Sequence, residues 1–145
     1  ELLVEPLRTD RLLLVAPPNH HFARVGRVSR ADLRGQPFIA REPGSGTRAL
    51  AESALGPVAE DIRTVVELDQ PEAIARAVEA GMGLAFISET IVARHLADGL
   101  LVALDFPEAS LEREFSLVSL RGRFWTPAMR LFAAYLRQQW KGTGT

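Results

Sequence analysis

Residues 37–104 contain PFIAREPGSGTRALAESAL (37–55) and, after a Gly-Pro pair, IRTVVELDQPEAIARAVEAGMGLAFISETIVARHLADGLLVAL (62–104). Short apolar runs alternate with segments whose apolar residues recur at helical spacing, which predicts strand–helix three times and then a final strand. The predicted strands are 37–40, 62–68, 84–87 and 100–104. This order is typical of a parallel sheet covered by helices on both faces. Ligands of such sheets bind outside the carboxyl ends of the strands.

The segments before and after this stretch do not continue its strand–helix alternation. Leu2–Leu7 is predicted to form a short strand. The apolar run Arg11–Ala16 is predicted to form a strand that is buried on both faces. Residues 113–121 alternate and predict a long strand, and Thr126-Pro127 begins a final helix. We interpret these flanks as the edge of a second lobe, most of which is absent from this chain.

The composition excludes several classes of protein. The chain has 145 residues, 47% of them hydrophobic and 24% charged, as in a folded soluble domain. A net charge of −1 argues against DNA binding by this piece alone, because DNA-binding domains carry a basic face. The absence of cysteine excludes disulfides, a thiol nucleophile and thiolate metal sites. The chain shows no signal peptide, and its start at Glu1 rather than Met is consistent with an excised piece of a longer protein.

A glycine loop from Arg41 to Arg48, REPGSGTR, is the strongest local motif. It follows a predicted strand and opens a predicted helix over 47–55, whose N-terminus offers free N–H donors and the positive end of the helix dipole. Ser45 and Thr47 add hydroxyls, so the loop predicts a site for a carboxylate, sulfate or phosphate. The alternative is that one of these hydroxyls only caps the helix, since capping uses the same groups. The loop matches neither a P-loop nor a nucleophile elbow.

Other polar residues stand at the same predicted edge of the sheet. Ser88 follows another strand and could add a donor to the pocket, or it could be a plain N-cap. Glu67 and Asp69 could serve as acid–base residues, but no partner nucleophile or base can be named, and Asp69 is better explained as a helix N-cap. His20-His21 does not predict a metal site, because adjacent residues do not share a face and no third ligand is near.

Short segments spread along most of the chain also share a characteristic order and spacing. They are PL (6–7), DRLLLV (10–15), PPNH (17–20), PFI (37–39), REPGSGTR (41–48), AVEAGMGLAFIS (77–88), GLL (99–101) and FSLV (115–118). In this order they resemble the effector-binding domain of LysR-type transcriptional regulators. His21 departs from the family, which usually has a proline at that place, and we regard this difference as neutral.

The resemblance implies an α/β fold like that of type 2 periplasmic binding proteins, with two lobes joined by two crossings. Residues 9–111 would be the second lobe, a complete parallel α/β lobe. Residues 1–8 and 112–145 would be the remnant of an incomplete first lobe. The winged helix-turn-helix that binds DNA in the family would be absent from this chain.

The resemblance also implies a function, that of a ligand-sensing domain of a bacterial transcriptional regulator. A small anionic metabolite, in our first guess a carboxylate, would bind between the lobes and change how a homodimer or homotetramer holds DNA. Carried over residue by residue, the effector-binding positions are Ala40, Arg41, Glu42, Ser45, Gly46, Thr47, Ile87 and Ser88. The protein would be cytoplasmic, without a membrane partner, metal or cofactor, and it would not be an enzyme.

Three other functions stay open at this point. A stand-alone solute-binding protein of the same fold would need a secretion signal, and none is visible. An enzyme on this fold would need a nucleophile–base pair or a metal constellation, which the sequence does not reveal. A domain that only dimerises would bind no metabolite.

Overall fold

The computed structural model describes residues 1–141 of the chain. The bounds of its strands and α-helices are β1 Leu2–Ala16, α1 His21–Val25, β2 Pro37–Arg41, α2 Gly46–Leu55, β3 Arg63–Leu68, α3 Pro71–Glu79, β4 Ala85–Ser88, α4 Glu89–Ala97, β5 Val102–Leu104, β6 Glu112–Leu120 and α5 Pro127–Lys141. Short 3-10 helices span Ala31–Leu33 and Gly56–Glu60. The last residues of the predicted first-lobe remnant, 142–145, lie outside the described residues.

The chain divides into two compact units. The larger unit is Arg11–Leu111, and the smaller unit combines Glu1–Asp10 with the described residues from Glu112 onward. The larger unit contains the whole strand–helix alternation, so it holds the elements that position the candidate site.

Strand directions in the larger unit are mixed. β2 and β3 pair in parallel, from Phe38↔Thr64 to Arg41↔Leu68, and a parallel bridge joins Phe38 to Leu84 at the start of β4. β1, however, lies between β4 and β5 and runs antiparallel to both. The predicted common direction of the strands from β2 to β5 is therefore confirmed, but the prediction of an all-parallel sheet is wrong, because the antiparallel β1 lies between β4 and β5. An apolar run reveals burial on both faces, but it does not reveal the direction of the neighbouring strand.

β1 is a single strand, whereas the sequence predicts two strands, Leu2–Leu7 and Arg11–Ala16. The intervening polar residues remain extended because β1 also pairs with β6. The carboxylate of Asp10 is almost completely buried there and accepts a 2.8 Å hydrogen bond from Nε of Arg113. A polar interruption therefore does not end a strand whose backbone and side chains find partners.

The core of the larger unit consists of two apolar clusters. Alternate residues of β1, β2 and β4 point to opposite faces, so each of these three strands contributes to both clusters. Neighbouring residues that are split between the clusters are Leu14/Val15, Phe38/Ile39 and Phe86/Ile87. α2 contributes Ala54 and Leu55 to the first cluster, and α3 contributes Ile74 and Val78 to the second. Helices thus cover both faces, as the sequence predicts.

Gly83 allows the chain after α3 to approach β2 closely. A Cβ atom at this position would lie 2.5 Å from the carbonyl oxygen of Pro37. That same oxygen accepts a 2.8 Å hydrogen bond from the N–H of Leu84, and the N–H of Ile39 donates to the carbonyl of Leu84 at 2.9 Å. The absence of a side chain at position 83 therefore permits the backbone pairing that places β4 beside β2.

The smaller unit exposes many apolar side chains. It has a cavity of about 440 Å³, lined mainly by β6 and α5. Its exposed large apolar residues are Leu2, Leu3, Val4, Phe115, Val118, Leu120, Phe124, Met129, Leu131, Phe132 and Tyr135. Among the described residues, no helix combines the length and the apolar character needed to cross a membrane.

Candidate functional site

Three strands of the larger unit end at one edge of the sheet. β2 ends at Arg41, its parallel neighbour β3 ends at Leu68, and β4 ends at Ser88. The parallel pairing of β2 with β3 and the parallel bridge between Phe38 and Leu84 give these strands a common direction. Their carboxyl ends therefore face the same edge, which is where ligands bind in open α/β sheets.

The glycine loop turns from this edge into α2. Gly44 has φ of 87°, a left-handed conformation that glycine adopts without a Cβ clash. Ser45 is the N-cap of α2, and its Oγ accepts a hydrogen bond from the N–H of Arg48 at 3.4 Å. The capping interpretation of Ser45 is therefore confirmed. Ser45 and Thr47 are both buried, so their hydroxyls lie at the positive end of the helix dipole with little access to water.

The guanidinium of Arg48 joins three elements at this edge. Its Nη1 lies 2.7 Å from Oε1 of Glu67 in β3 and 3.0 Å from the carbonyl oxygen of Arg41 in β2. Its Nε lies 2.7 Å from Oε1 of Glu52, one turn further along α2. The hydrogen bond to Glu52, followed by the one to Glu67, raises the pKa of Arg48. Arg48 thus fixes the first turn of α2 against the ends of two strands.

Arg41 has a different partner. Its Nε and Nη2 donate to the two carboxylate oxygens of Glu42 at 2.7 and 2.9 Å, which is a two-point contact between adjacent residues. The hydrogen bond from Arg41 lowers the pKa of Glu42, and the same bond raises the pKa of Arg41. Asp69 adds a weaker attraction to the guanidinium of Arg41.

A cavity of about 100 Å³ brings some of the predicted site residues together. Ala40, Arg41 and Thr47 line it, as does Arg48. The other predicted residues, Glu42, Ser45, Gly46, Ile87 and Ser88, are not among the cavity's lining residues. Ile87 is buried in the core, where it belongs to the cluster that includes Ile74. The described cavity is smaller than a typical ligand pocket.

Ser88 and Asp69 differ from their predicted capping roles. Ser88 occupies the N-cap position of α4, but its side chain makes no capping hydrogen bond. The predicted N-cap Asp69 is wrong, because the N-cap of α3 is Gln70. Pro71 takes the first helical position, where its fixed φ and missing N–H are tolerated, so the preceding residue becomes the cap.

Other candidate groups have structural partners. The ring of His20 accepts a hydrogen bond from the N–H of Phe22 at 3.2 Å, which caps α1, and it stacks on His21. Glu67, considered as an acid–base residue, is paired with Arg48. Within residues 1–141, no group of three or more His, Cys, Asp or Glu side chains is arranged to hold a metal ion.

Sequence reasoning missed the part played by Arg48 and its two carboxylates. The four-residue spacing of Arg48 and Glu52 on α2 is a signal that could have found one of these pairs. The pairing with Glu67 has no such signal, since it depends on the register of β2 and β3.

Comparison with known proteins identifies relatives among transcriptional regulators. Residues 1–141 match the family model of the LysR substrate binding domain. The HTH-type transcriptional regulator CbbR of Cereibacter sphaeroides is 40% identical over 116 residues, which are 79% of this chain and 37% of that protein. The RuBisCO operon transcriptional regulator of Acidithiobacillus ferrooxidans is 32% identical over 135 residues, which are 93% of this chain and 44% of that protein. The chain therefore spans less than half the length of these curated relatives.

Solved structures show the same fold. The regulatory domain of Synechocystis PCC6803 CcmR in complex with 2-PG has a TM-score of 0.86 and 28% identity, and the match covers 100% of this chain and 70% of that one. The effector binding domain of QuiR in complex with shikimate has a TM-score of 0.81 and 21% identity, covering 99% and 68%. These matches confirm the predicted α/β fold class of effector-binding domains.

Proposed function

The chain belongs to the LysR substrate binding domain family, and we propose that it is the effector-sensing part of a bacterial LysR-type transcriptional regulator. In this proposal residues 9–111 are the second lobe of the domain, and residues 1–8 with 112–145 belong to the first. Contact with DNA would come from a winged helix-turn-helix in the same longer protein, because this chain has almost no net charge.

The proposal of an anionic effector rests on the hydrogen-bond donors at the start of α2. The buried hydroxyls of Ser45 and Thr47 lie at this helix N-terminus, and Arg41 and Arg48 line the adjacent cavity. Backbone N–H groups, hydroxyls and a guanidinium are the donors that carboxylates and phosphates need. The proposed effector-binding residues are Ala40, Arg41, Glu42, Ser45, Gly46, Thr47, Ile87 and Ser88.

A small acidic metabolite is the proposed effector. The related CcmR regulatory domain was solved in complex with 2-PG, and it is 28% identical in sequence to this chain. We therefore take 2-PG as the first compound to test and simple carboxylates as the second. Either compound would accept hydrogen bonds from the groups at the start of α2.

Effector binding would act by shifting a conformational equilibrium. A ligand changes DNA binding only if it binds one state of the regulator more tightly than another. We propose that the regulator works as a homodimer or homotetramer in the cytoplasm, without a membrane partner, metal or cofactor, and that it catalyses no reaction. A stand-alone solute-binding protein is not favoured, because the curated relatives are regulators of transcription.

Titration calorimetry of the intact regulator with 2-PG tests this proposal. Replacing the buried Thr47 by valine keeps its shape and removes one donor, so we expect 2-PG binding to weaken about tenfold, the effect of roughly one charge-assisted hydrogen bond. Thr126→Val is the control, because Thr126 directly precedes α5 of the smaller unit and its Oγ1 likewise lies at a helix start, where it accepts a hydrogen bond from the N–H of Met129 at 3.2 Å. Equal 2-PG affinity in Thr47→Val and the wild type would contradict the proposed site, and absence of binding by 2-PG and carboxylates alike would contradict the proposed effector class.

A further inference from the structure

We propose that Glu42 is an internal competitor of the effector, a carboxylate that occupies the guanidinium of Arg41 until an external anion displaces it. This inference rests on the proposed function, since it assumes an anion at the start of α2. It gives Glu42 a role that differs from that of a direct effector ligand.

The geometry of the pair resembles the contact that an external carboxylate would make. Two nitrogens of Arg41 donate to the two oxygens of Glu42 at 2.7 and 2.9 Å. Planar two-point contacts of this kind are the usual way in which arginine recognises carboxylates and phosphates. Arg41 also lines the cavity and its side chain is 20% exposed, so the contact with Glu42 occupies a cation that belongs to a residue of the cavity wall.

Arg41 and Arg48 differ in how firmly their charges are held. Arg48 is bonded to two carboxylates on two different elements and to a backbone carbonyl, so its donors serve to connect α2 with the sheet. Arg41, in contrast, donates its side-chain hydrogen bonds to its neighbour Glu42 among the described residues. Displacing Glu42 would leave the connections of Arg48 intact, so Arg41 is the cation that an effector can recruit.

Glu42 can leave this contact at small cost. Its side chain is 40% exposed, so water can solvate the carboxylate after it swings away. Ion pairs with this much exposure contribute little net stability, because hydration competes with them. At neutral pH the displaced group remains a carboxylate, because the ordinary pKa of a glutamate, 4.5, already lies well below 7.

The charge of the edge makes displacement necessary. Two guanidinium groups, those of Arg41 and Arg48, face the carboxylates of Glu42, Glu52 and Glu67, with Asp69 close enough to attract Arg41. An added anion would therefore enter a region in which the carboxylates outnumber the cations. The added anion makes a strong contact if it takes the place of a carboxylate on one guanidinium. It makes a weaker contact if all the arginine–glutamate pairs stay in place, because their carboxylates repel it.

The test compares Glu42→Gln with Glu52→Gln in the intact regulator, using inorganic phosphate as the probe in titration calorimetry at constant ionic strength. Both variants remove one negative charge from a carboxylate that lies 2.7 Å from the Nε of an arginine. Only Glu42→Gln releases Arg41. We expect this variant to bind phosphate about fivefold more tightly than the wild type, the size expected for loss of a partly exposed ion pair, and Glu52→Gln to change the affinity less than twofold.

The outcomes distinguish failure of the inference alone from failure of the proposed anion site. Equal phosphate affinity in Glu42→Gln and the wild type, with weaker binding in Thr47→Val, would overturn the competitor role and leave the anion site standing. Weaker binding in Glu42→Gln would show that Glu42 positions Arg41 and would also overturn the inference. An equal gain in phosphate affinity in Glu42→Gln and Glu52→Gln would show that the gain comes from the lower net negative charge alone, and it would also overturn the inference. No phosphate binding by any variant would overturn the inference together with the anion site.

Discussion

The Nη1 atom of Arg48 lies 2.7 Å from Oε1 of Glu67, and this contact joins the first turn of α2 to the last residues of β3. The same nitrogen donates to the carbonyl of Arg41, where β2 ends. The side chain of Arg48 therefore ties the last residue of the glycine loop to the carbonyl of its first residue, Arg41, while the backbone N–H of Arg48 bonds to Ser45 within the loop. Arg48 would thereby support the shape of the proposed anion site without having to touch the anion.

Replacing Arg48 by methionine should loosen the loop more than it destabilises the fold. The ion pairs of Arg48 are partly exposed, so we expect a loss of only about 0.5–1 kcal/mol in the free energy of unfolding. Effector affinity should fall about tenfold, because the donors at the start of α2 are no longer preorganised. Urea unfolding and titration with 2-PG measure the two effects separately.

Arg48→Lys is the control for this prediction, because it keeps the charge but not the planar fork that bonds several acceptors. It should recover only part of the affinity. Full affinity in Arg48→Met would contradict the positioning role.

Gly83 should tolerate no side chain. In Gly83→Ala the new Cβ would meet the carbonyl oxygen of Pro37 at 2.5 Å, so β2 and β4 must separate or the connection must shift. We expect about 2 kcal/mol of destabilisation, which is typical of overpacking against a fixed backbone. Gly46→Ala is the matched control, since a Cβ at Gly46 has no atom within 4 Å and its φ is not left-handed. Similar urea midpoints for both variants would show that the Pro37 contact is relieved at no cost.

His20 should make stability depend on pH. Burial, and then the charge of His21, lowers the pKa of His20 below its ordinary value of 6.5. The folded state therefore disfavours the protonated ring, and stability should fall as the pH drops from 7.5 through 6.5 toward the lowered value. Protonation of Nδ1 would also remove the acceptor that caps α1.

We expect an effect of a few tenths of a kcal/mol, because the ring is only partly buried. His20→Asn retains an N-cap acceptor that does not titrate, so its unfolding free energy should change less between pH 7.5 and 5.5. An unchanged pH profile in that variant would place the dependence elsewhere, and His21→Asn provides the comparison.

The sequence predicts the alternating elements of the larger unit because their apolar periods are local. Residues 37–40 and 84–87 are short apolar runs that predict strands, and the α2 and α3 segments show helical spacing. The glycine loop is also local, so the start of α2 could be predicted to within one residue, although the sequence left open whether Ser45 or Thr47 caps it. These features need no information about distant parts of the chain.

The direction of β1 relative to its neighbours and the register of strand pairing could not be predicted in the same way. The antiparallel position of β1 between β4 and β5 depends on pairing between residues far apart in the chain, such as Leu14 with Phe86 and Leu104. The contact of Arg48 with Glu67 depends on how β3 aligns with β2. Such relationships are set by the whole sheet, while a hydrophobic pattern reports only which faces are buried.

The buried pair of Asp10 and Arg113 should stabilise the smaller unit far more than its exposed counterpart. The side chain of Asp10 is 1% exposed and lies 2.8 Å from Nε of Arg113, whereas Glu5 and Arg137 are 34% and 41% exposed. Removing the cation from a buried carboxylate leaves a poorly solvated charge, so Arg113→Met should cost about 3 kcal/mol in the free energy of unfolding. Arg137→Met should cost about 0.5 kcal/mol, as is usual for exposed pairs.

Asp10→Asn combined with Arg113→Met should recover part of the loss, because no ionised group then remains buried. Urea unfolding of the variants measures these differences, and equal costs for Arg113→Met and Arg137→Met would refute the argument from burial.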